Sequence, residues 1–449
     1  MADANFSWDN IPWTRVCPWL TISRAFWIAV DPRKLVLASV ALLLLAGGNW
    51  VVDQLLLPVD ELAAEEFSGE ETAGRATHTW PWDQSLGYDL WMTGDPLGEA
   101  GLWLTDPRGV TLRVASNWRV VLKPLDFLLV PAEVLGKFPA TPTEWIRAAA
   151  LFAWGVVVWS VFGGAIGRMA AASFARRQTI SMRGALWFSI TKLPGYLTAP
   201  LLPITGIGLM LALVALGGLL GRIPDAGPTI VGVGYGLALA LGFGMTVLLV
   251  GLAAGWPLMC ATINVEGSDG FDGFSRSYNY VFERPWNYLF HVSVCLAYGS
   301  VTIFFVWLGS QLVLRMATLG VLAGNGSTAT LALLADLPLL YQAEPAALLG
   351  VDPLEAGVAG STGAWLTGLW ARGLATLVIA FVHTYFWTAT TIIYFLLRRS
   401  VDSNGLDEVN LPEETRPDDL LPIVGAAAVA NAPPAPAPAP GGPPVDLTP

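Results

Sequence analysis

Polar and apolar positions fall along this chain in long blocks rather than at short periods. Six blocks, roughly 35–57, 146–167, 197–221, 229–257, 287–314 and 373–397, are apolar with few charges. Each is about 20 residues or longer, the length that carries an α-helix across a bilayer. The pattern predicts an all-α polytopic membrane protein with about six transmembrane helices. The first block starts near residue 35 without a short basic leader or a small-residue cleavage site, so it reads as a retained span.

Lys and Arg placement orients the spans, because these residues are retained on the cytoplasmic side. Arg15, Arg24, Arg33 and Lys34 precede span 1. Arg168, Arg176, Arg177, Arg183 and Lys192 lie between spans 2 and 3, and Arg398 and Arg399 follow span 6. The 316–362 loop has no Lys or Arg but carries Asp336, Glu344, Asp352 and Glu355. Both termini are expected inside, with 58–144 and 316–362 outside. The resulting organisation is an N-terminal cytoplasmic segment (1–34), span 1 (35–57), an acidic extracytoplasmic segment (58–144), a membrane bundle with spans 2–6 (145–399), and a cytoplasmic tail (400–449). The tail is acidic, then Pro/Ala-rich from Ala432-Pro433-Pro434 onward, and is expected to be disordered.

Three stretches before spans 1, 3 and 5 resemble one another: Ser23 to Pro32, Gly184 to Pro194 and Ser275 to Pro285. Each is a short aromatic, helix-like segment with a charge near its end and then a Pro. Pro breaks an incoming helix or starts the next one, and Trp and Tyr favour the headgroup level. The expected architecture is three hairpins, each preceded by a cytoplasmic interfacial aromatic helix and a Pro. Arg24, Arg176, Arg177, Lys192, Arg276 and Arg284 would contact lipid headgroups.

The inner-face segments also carry a resemblance. Trp256-Pro257-Leu258-Met259, Phe271-Asp272-Gly273-Phe274-Ser275-Arg276-Ser277-Tyr278 and Arg284-Pro285-Trp286 resemble an uncharacterised multipass membrane protein family of planctomycete-type bacteria. The resemblance covers Ile22 to Leu35, Arg168 to Pro200, Gly255 to Leu289 and Ile392 to Glu408. It implies a bacterial inner-membrane location and assigns no particular function, the family being uncharacterised. More distantly, Asp272 to Trp286 is similar to segments in the membrane domain of glycerophosphodiester phosphodiesterases. The chain has no soluble phosphodiesterase domain, so that activity is not implied.

Composition sharpens the picture. The chain has 449 residues, of which 54% are hydrophobic and 13% charged, about half the charge of a soluble domain. The net charge of −11 divides unevenly: 58–144 carries 14 acids and 6 bases, and 400–449 carries 8 acids and 1 base. The membrane body is therefore mildly basic, and no basic face suits nucleic acid. Cys17, Cys260 and Cys295 share no motif spacing, so no disulfide framework, zinc site or other metal site is expected. The 58–144 piece, with Trp80-Pro81-Trp82, Trp91 and strand-like, Pro-broken stretches from Leu102 to Leu129, is expected to pack on the outer membrane face. Leu331 to Leu340 reads as a re-entrant or outer-surface helix, or a cap.

Candidate chemistry is sparse. Thr376, His383 and Thr390 recur every seven residues in span 6, with Tyr394 one turn on, so they share a helix face. An ionisable group at membrane depth is a functional-site hypothesis; the alternative, which the residues favour, is bonding to neighbouring helices or to carbonyls four residues back. Asp53 and His291 are expected at the interface, and Arg372 at the outer end of span 6. Gly163 and Gly167, and Gly232, Gly236, Ala240 and Gly244, have the four-residue spacing that lets helices approach closely. Pro203, Gly206, Gly208 and the Gly232 to Gly236 cluster could instead break helices at a transporter site. Glu266, Asp269 and Asp272 lie in a Gly-rich loop that reads as a helix start, with Asp272 near the N-cap, rather than a cation loop. No Ser/His/Asp or Cys/His set is recognisable. The expected function is that of a non-enzymatic membrane-organising or interaction protein without cofactors. Its expected partners are membrane lipids, other membrane proteins or further copies of itself. The alternative is a transporter or channel using spans 3, 4 and 6.

Overall fold

The computed structural model describes residues 17–56, 80–88, 105–128, 141–326, 329–330, 333–334, 337 and 362–410. Asp60 to Glu71, Trp91, most of Leu331 to Leu340 and the Pro/Ala-rich tail lie outside the described residues.

Every regular element among the described residues is helical. In chain order these are α1 (Arg24–Ala29), α2 (Pro32–Leu56), α3 (Pro107–Ser116), α4 (Arg119–Leu122), α5 (Pro142–Ala175), α6 (Met182–Thr191), α7 (Leu193–Leu219), α8 (Gly227–Glu266), α9 (Gly270–Glu283), α10 (Pro285–Asn325) and α11 (Thr362–Val401). Six of them, α2, α5, α7, α8, α10 and α11, are long and apolar enough to cross a membrane. The chain is a multipass membrane protein.

Local chemistry sets the helix ends. Pro32, Pro142 and Pro285 each take the first helical position, where a missing N–H costs nothing. Thr141 and Glu144 close a reciprocal capping box at the start of α5. Ser181 caps α6 through the Gly184 N–H, and Asp269 caps α9 through the Asp272 N–H. The N-cap of α9 is therefore Asp269; Asp272 sits in the first turn. Gly267 ends α8 at φ 67°, a left-handed conformation that an L side chain disfavours. α7 and α8 run on through Pro200, Pro203 and Pro257 without interruption.

Four spans overrun the apolar blocks. α5, α8, α10 and α11 have 34, 40, 41 and 40 residues. At about 1.5 Å per residue they are roughly 50–60 Å long, against a hydrocarbon core of about 30 Å. The extra turns of α5, α8 and α11 carry Arg168, Asn264, Glu266 and Arg398, which find partners inside the fold.

The core is organised around α11, which packs against α1, α2, α4, α5, α8, α9 and α10. From Val378 to Leu397 nearly every α11 side chain is buried. α2 packs on α5, α7 on α8, and α10 on α11. The stretch of the α7 and α8 pair on either side of Arg222 stands apart: Leu209, Leu216, Leu237 and Phe243 are exposed, and Val233 is 84% exposed. Acyl chains suit such a surface, because lipid tails are as apolar as Leu.

The segment between α2 and α5 departs from expectation. Its 105–128 part is helical rather than strand-like, and it packs against the bundle. α3 packs on α10, and α4 on α10 and α11. Ser300 of α10 donates to the Val114 carbonyl, and Tyr88 donates to the Ser300 carbonyl at 2.9 Å. Phe127 packs against Trp159 and Trp256. Val110, Thr111 and Val114 favour strands locally, but burial against α10 rewards the helical face instead.

Candidate functional site

Two regions bear on function: the polar face of α11 and the basic face formed where α1, α6 and α9 meet the spans.

On α11 the sevenfold stripe lies inside the core. Thr376 donates to the Arg372 carbonyl at 2.7 Å, and His383 Nδ1 lies 3.0 Å from the Ile379 carbonyl, each four residues back. The His383 ring also stacks on Trp159, with centroids 4.7 Å apart and planes 8° from parallel. Thr390 is buried nearby. Tyr394 leaves the stripe's environment and donates to Glu266 Oε1 at 3.1 Å. The stripe is thus three side chains closed into the helix core and one tied to a charged cluster.

That cluster was not singled out as a unit by spacing, because its members come from three helices. Arg398 pairs with Glu266 and donates to the Gly405 and Glu408 carbonyls. Arg276 donates to Asp272 at 2.9 Å and lies 3.9 Å from Glu266. The bond from Asp272 holds the Arg276 guanidinium well above its ordinary pKa. Tyr280 donates to Asp402, and burial followed by that carboxylate pushes its phenol up. Beside it, Arg168 donates to the Asn264 carbonyl at 2.6 Å and lies 4.1 Å over the Phe188 ring, while Tyr196 donates to the Asn264 side chain. These groups knit the ends of α5, α8, α9 and α11 together. The Gly-rich loop residues Glu266 and Asp269 serve an ion pair and a helix cap, and no metal-holding group of side chains occurs among the described residues.

The expected headgroup residues divide. Arg276 is engaged as above. Arg24 donates to the Phe174 carbonyl at 3.2 Å and sits 4.7 Å over the Phe174 ring. Arg176 donates to the Val409 carbonyl at 3.2 Å but remains exposed, as are Arg177 and Arg284. Lys192 ends α6, half-buried. Asp53, near the end of α2, is fully buried and accepts from Arg147 at 2.8 Å, and His291, near the start of α10, is buried. Arg372 lies within α11 and acts electrostatically on Asp83.

The small-residue positions divide too. A Cβ on Gly163 would meet Trp387 at 2.5 Å, and one on Gly167 would meet Asn264 at 2.1 Å. Both glycines admit a large side chain from a neighbouring helix. Gly244 faces Met210 across the α7 and α8 pair. Gly236 has nothing within 4 Å of its Cβ position, and Ala240 is exposed.

Lys34, an orientation signal in the sequence like Arg168 and Arg398, is buried as they are: it is 1% exposed and donates to the Ile28 carbonyl at 2.7 Å. Comparison of the chain with protein-family models, curated proteins and solved structures gives no match.

Proposed function

We propose that this chain is an integral protein of the bacterial inner membrane, both termini cytoplasmic, that grips the inner leaflet and organises lipids or partner proteins there without catalysis. Its plan is three helical hairpins, each entered through an interfacial aromatic helix and a Pro. One observation carries the reading. Trp27, Trp187 and Trp286 are 77%, 70% and 81% exposed, and each lies within seven residues of Pro32, Pro194 or Pro285. A fold that buries Trp159, Trp307 and Trp387 almost completely leaves these three outside. Amphipathic rings in such positions suit the headgroup level, with Arg177 and Arg284 alongside to meet phosphates.

The test uses tryptophan fluorescence of the full chain in bilayers brominated near the headgroup or deep in the acyl region. The wild type minus Trp27→Ala/Trp187→Ala/Trp286→Ala difference isolates these rings. Shallow bromine should quench that difference signal most. Quenching by deep bromine alone, or by neither, defeats the interfacial placement. The transport alternative has its own assay: loss of a proton-linked flux in proteoliposomes on His383→Ala would replace this reading. The closed environment of His383 supports a packing role instead.

A further inference from the structure

A cavity of about 290 Å³ opens where α1, the start of α2 and the last turn of α5 meet, lined by Arg24, Trp27, Ile28, Asp31, Lys34 and Ser173. We infer that it is a binding pocket for a phosphate group, held by the Arg24 guanidinium and the Lys34 ammonium. The inference rests on the leaflet-gripping reading and names the ligand chemistry of one point of that grip.

The charge balance comes first. Three cations and one carboxylate gather here. The carboxylate is taken: Asp31 accepts from the Arg33 side chain at 3.1 and 2.8 Å and from the Arg33 N–H at 3.1 Å. Lys34 makes a long ion pair with Asp31 at 3.9 Å, without a hydrogen bond, and its bond to Ile28 uses one of three N–H groups. Arg24 directs one of its five N–H groups at Phe174. Counted with Arg33, the pocket holds an excess of two positive charges. Burial, and then the nearby charge of Arg177, lower the pKa of Arg24. Asp31 is shared between Arg33 and Lys34, and a phosphate would add charge and acceptors for charge-assisted bonds to the cations here.

Size and surroundings favour a lipid source. The volume sits at the lower limit of small-molecule pockets, which run about 300–1,000 Å³. That suits a headgroup phosphate better than a nucleotide. Trp27 stands exposed on the rim, where an acyl ester would emerge.

The experiment uses the full chain in a phosphate-free sugar detergent, titrated with phosphatidylglycerol and read by native mass spectrometry. A neutral, phosphate-free glycolipid is the control ligand. Arg24→Gln and Lys34→Gln should each weaken phosphatidylglycerol binding about tenfold, the loss of one charge-assisted contact. Arg222→Gln, an exposed cation just past the end of α7 and away from the pocket, should leave it unchanged. Wild-type binding by both pocket variants overturns the inference, and equal binding of the glycolipid overturns the phosphate chemistry. Displacement by inorganic phosphate at millimolar levels would identify a soluble phosphate compound as the source; resistance to it would identify lipid. A second measurement needs no variant: phosphatidylglycerol should raise the unfolding midpoint of the wild type more than the neutral glycolipid does, and equal midpoints overturn the pocket. Failure here leaves the tryptophan depth result standing, so the two readings fail separately.

Discussion

Gly163 and Gly236 have the same identity and the same four-residue company, yet alanine should act on them in opposite directions. At Gly163 the new Cβ would lie 2.5 Å from Trp387 Cε2, almost an ångström short of the 3.4 Å at which ordinary contact begins. Trp387 cannot yield easily, since Trp159, Trp256 and Phe386 surround it with ring centroids 6.1, 5.7 and 5.4 Å away. Overpacking of a tight core costs about 1–3 kcal/mol. Helix propensity returns up to about 1 kcal/mol for Gly→Ala. Gly163→Ala should therefore destabilise by up to about 2 kcal/mol once the full propensity gain is subtracted. At Gly236 the Cβ meets nothing within 4 Å, so Gly236→Ala should be neutral or stabilising by up to about 1 kcal/mol. Reversible unfolding of the full chain in mixed micelles, titrated with dodecyl sulfate and followed by far-UV circular dichroism, measures both. Equal shifts for the two variants, or greater damage at Gly236, would refute the assignment of Gly163 to packing and Gly236 to an open face.

Three further outcomes follow from the geometry. Arg398→Met leaves Glu266 with Tyr394 and the more distant Arg276; because Glu266 is partly exposed, the cost should fall at the lower end of a broken buried pair, about 3 kcal/mol. Glu266→Gln/Arg398→Met should be less damaging than the sum of the single variants, and strict additivity in the same unfolding assay would refute the pairing. Gly155→Leu should expel Phe127, whose ring lies 2.3 Å from the Gly155 Cβ position; trypsin should then cut after Arg119 several-fold faster, as local opening predicts, and unchanged cleavage would show that Phe127 does not anchor the 105–128 segment. Burial opposes ionisation of Asp31, but bonds from Arg33 outweigh it and hold its carboxyl below the ordinary 3.8. A lowered carboxylate pKa contributes stability that is present above 3.8 and lost as pH falls through the lower folded value. The stability gap between wild type and Asp31→Asn should therefore close on acidification, and a gap constant with pH would refute that role.

The six spans were legible because bilayer crossing demands apolar length, and apolar length is visible without an alignment. Their ends were not. The apolar blocks stop at 167, 257 and 397, but α5, α8 and α11 continue to Ala175, Glu266 and Val401. The residues that stop the block, Arg168, Asn264 and Arg398, are the ones whose partners lie on other helices, so their burial is invisible to a local reading. The same holds for Lys34 and Asp53. Capping chemistry was legible to within a turn: Asp269 and Asp272 both stand at the start of α9, and only the hydrogen bond distinguishes the cap. The 105–128 segment was misread because its β-branched residues carry a local strand preference, while the surface it packs on is formed by residues far along the chain.

The helix around which the bundle is arranged, α11, is also the last of the six long helices to be made. Until it arrives, α2, α5, α8 and α10 lack the surface on which they converge, and Glu266 has no Arg398. The α7–α8 and α2–α5 pairs, by contrast, meet without it. A chain truncated before residue 362 should therefore keep those pairs while losing their common partner, so that the cost of an incomplete chain falls on how the pairs join rather than on whether each pair forms.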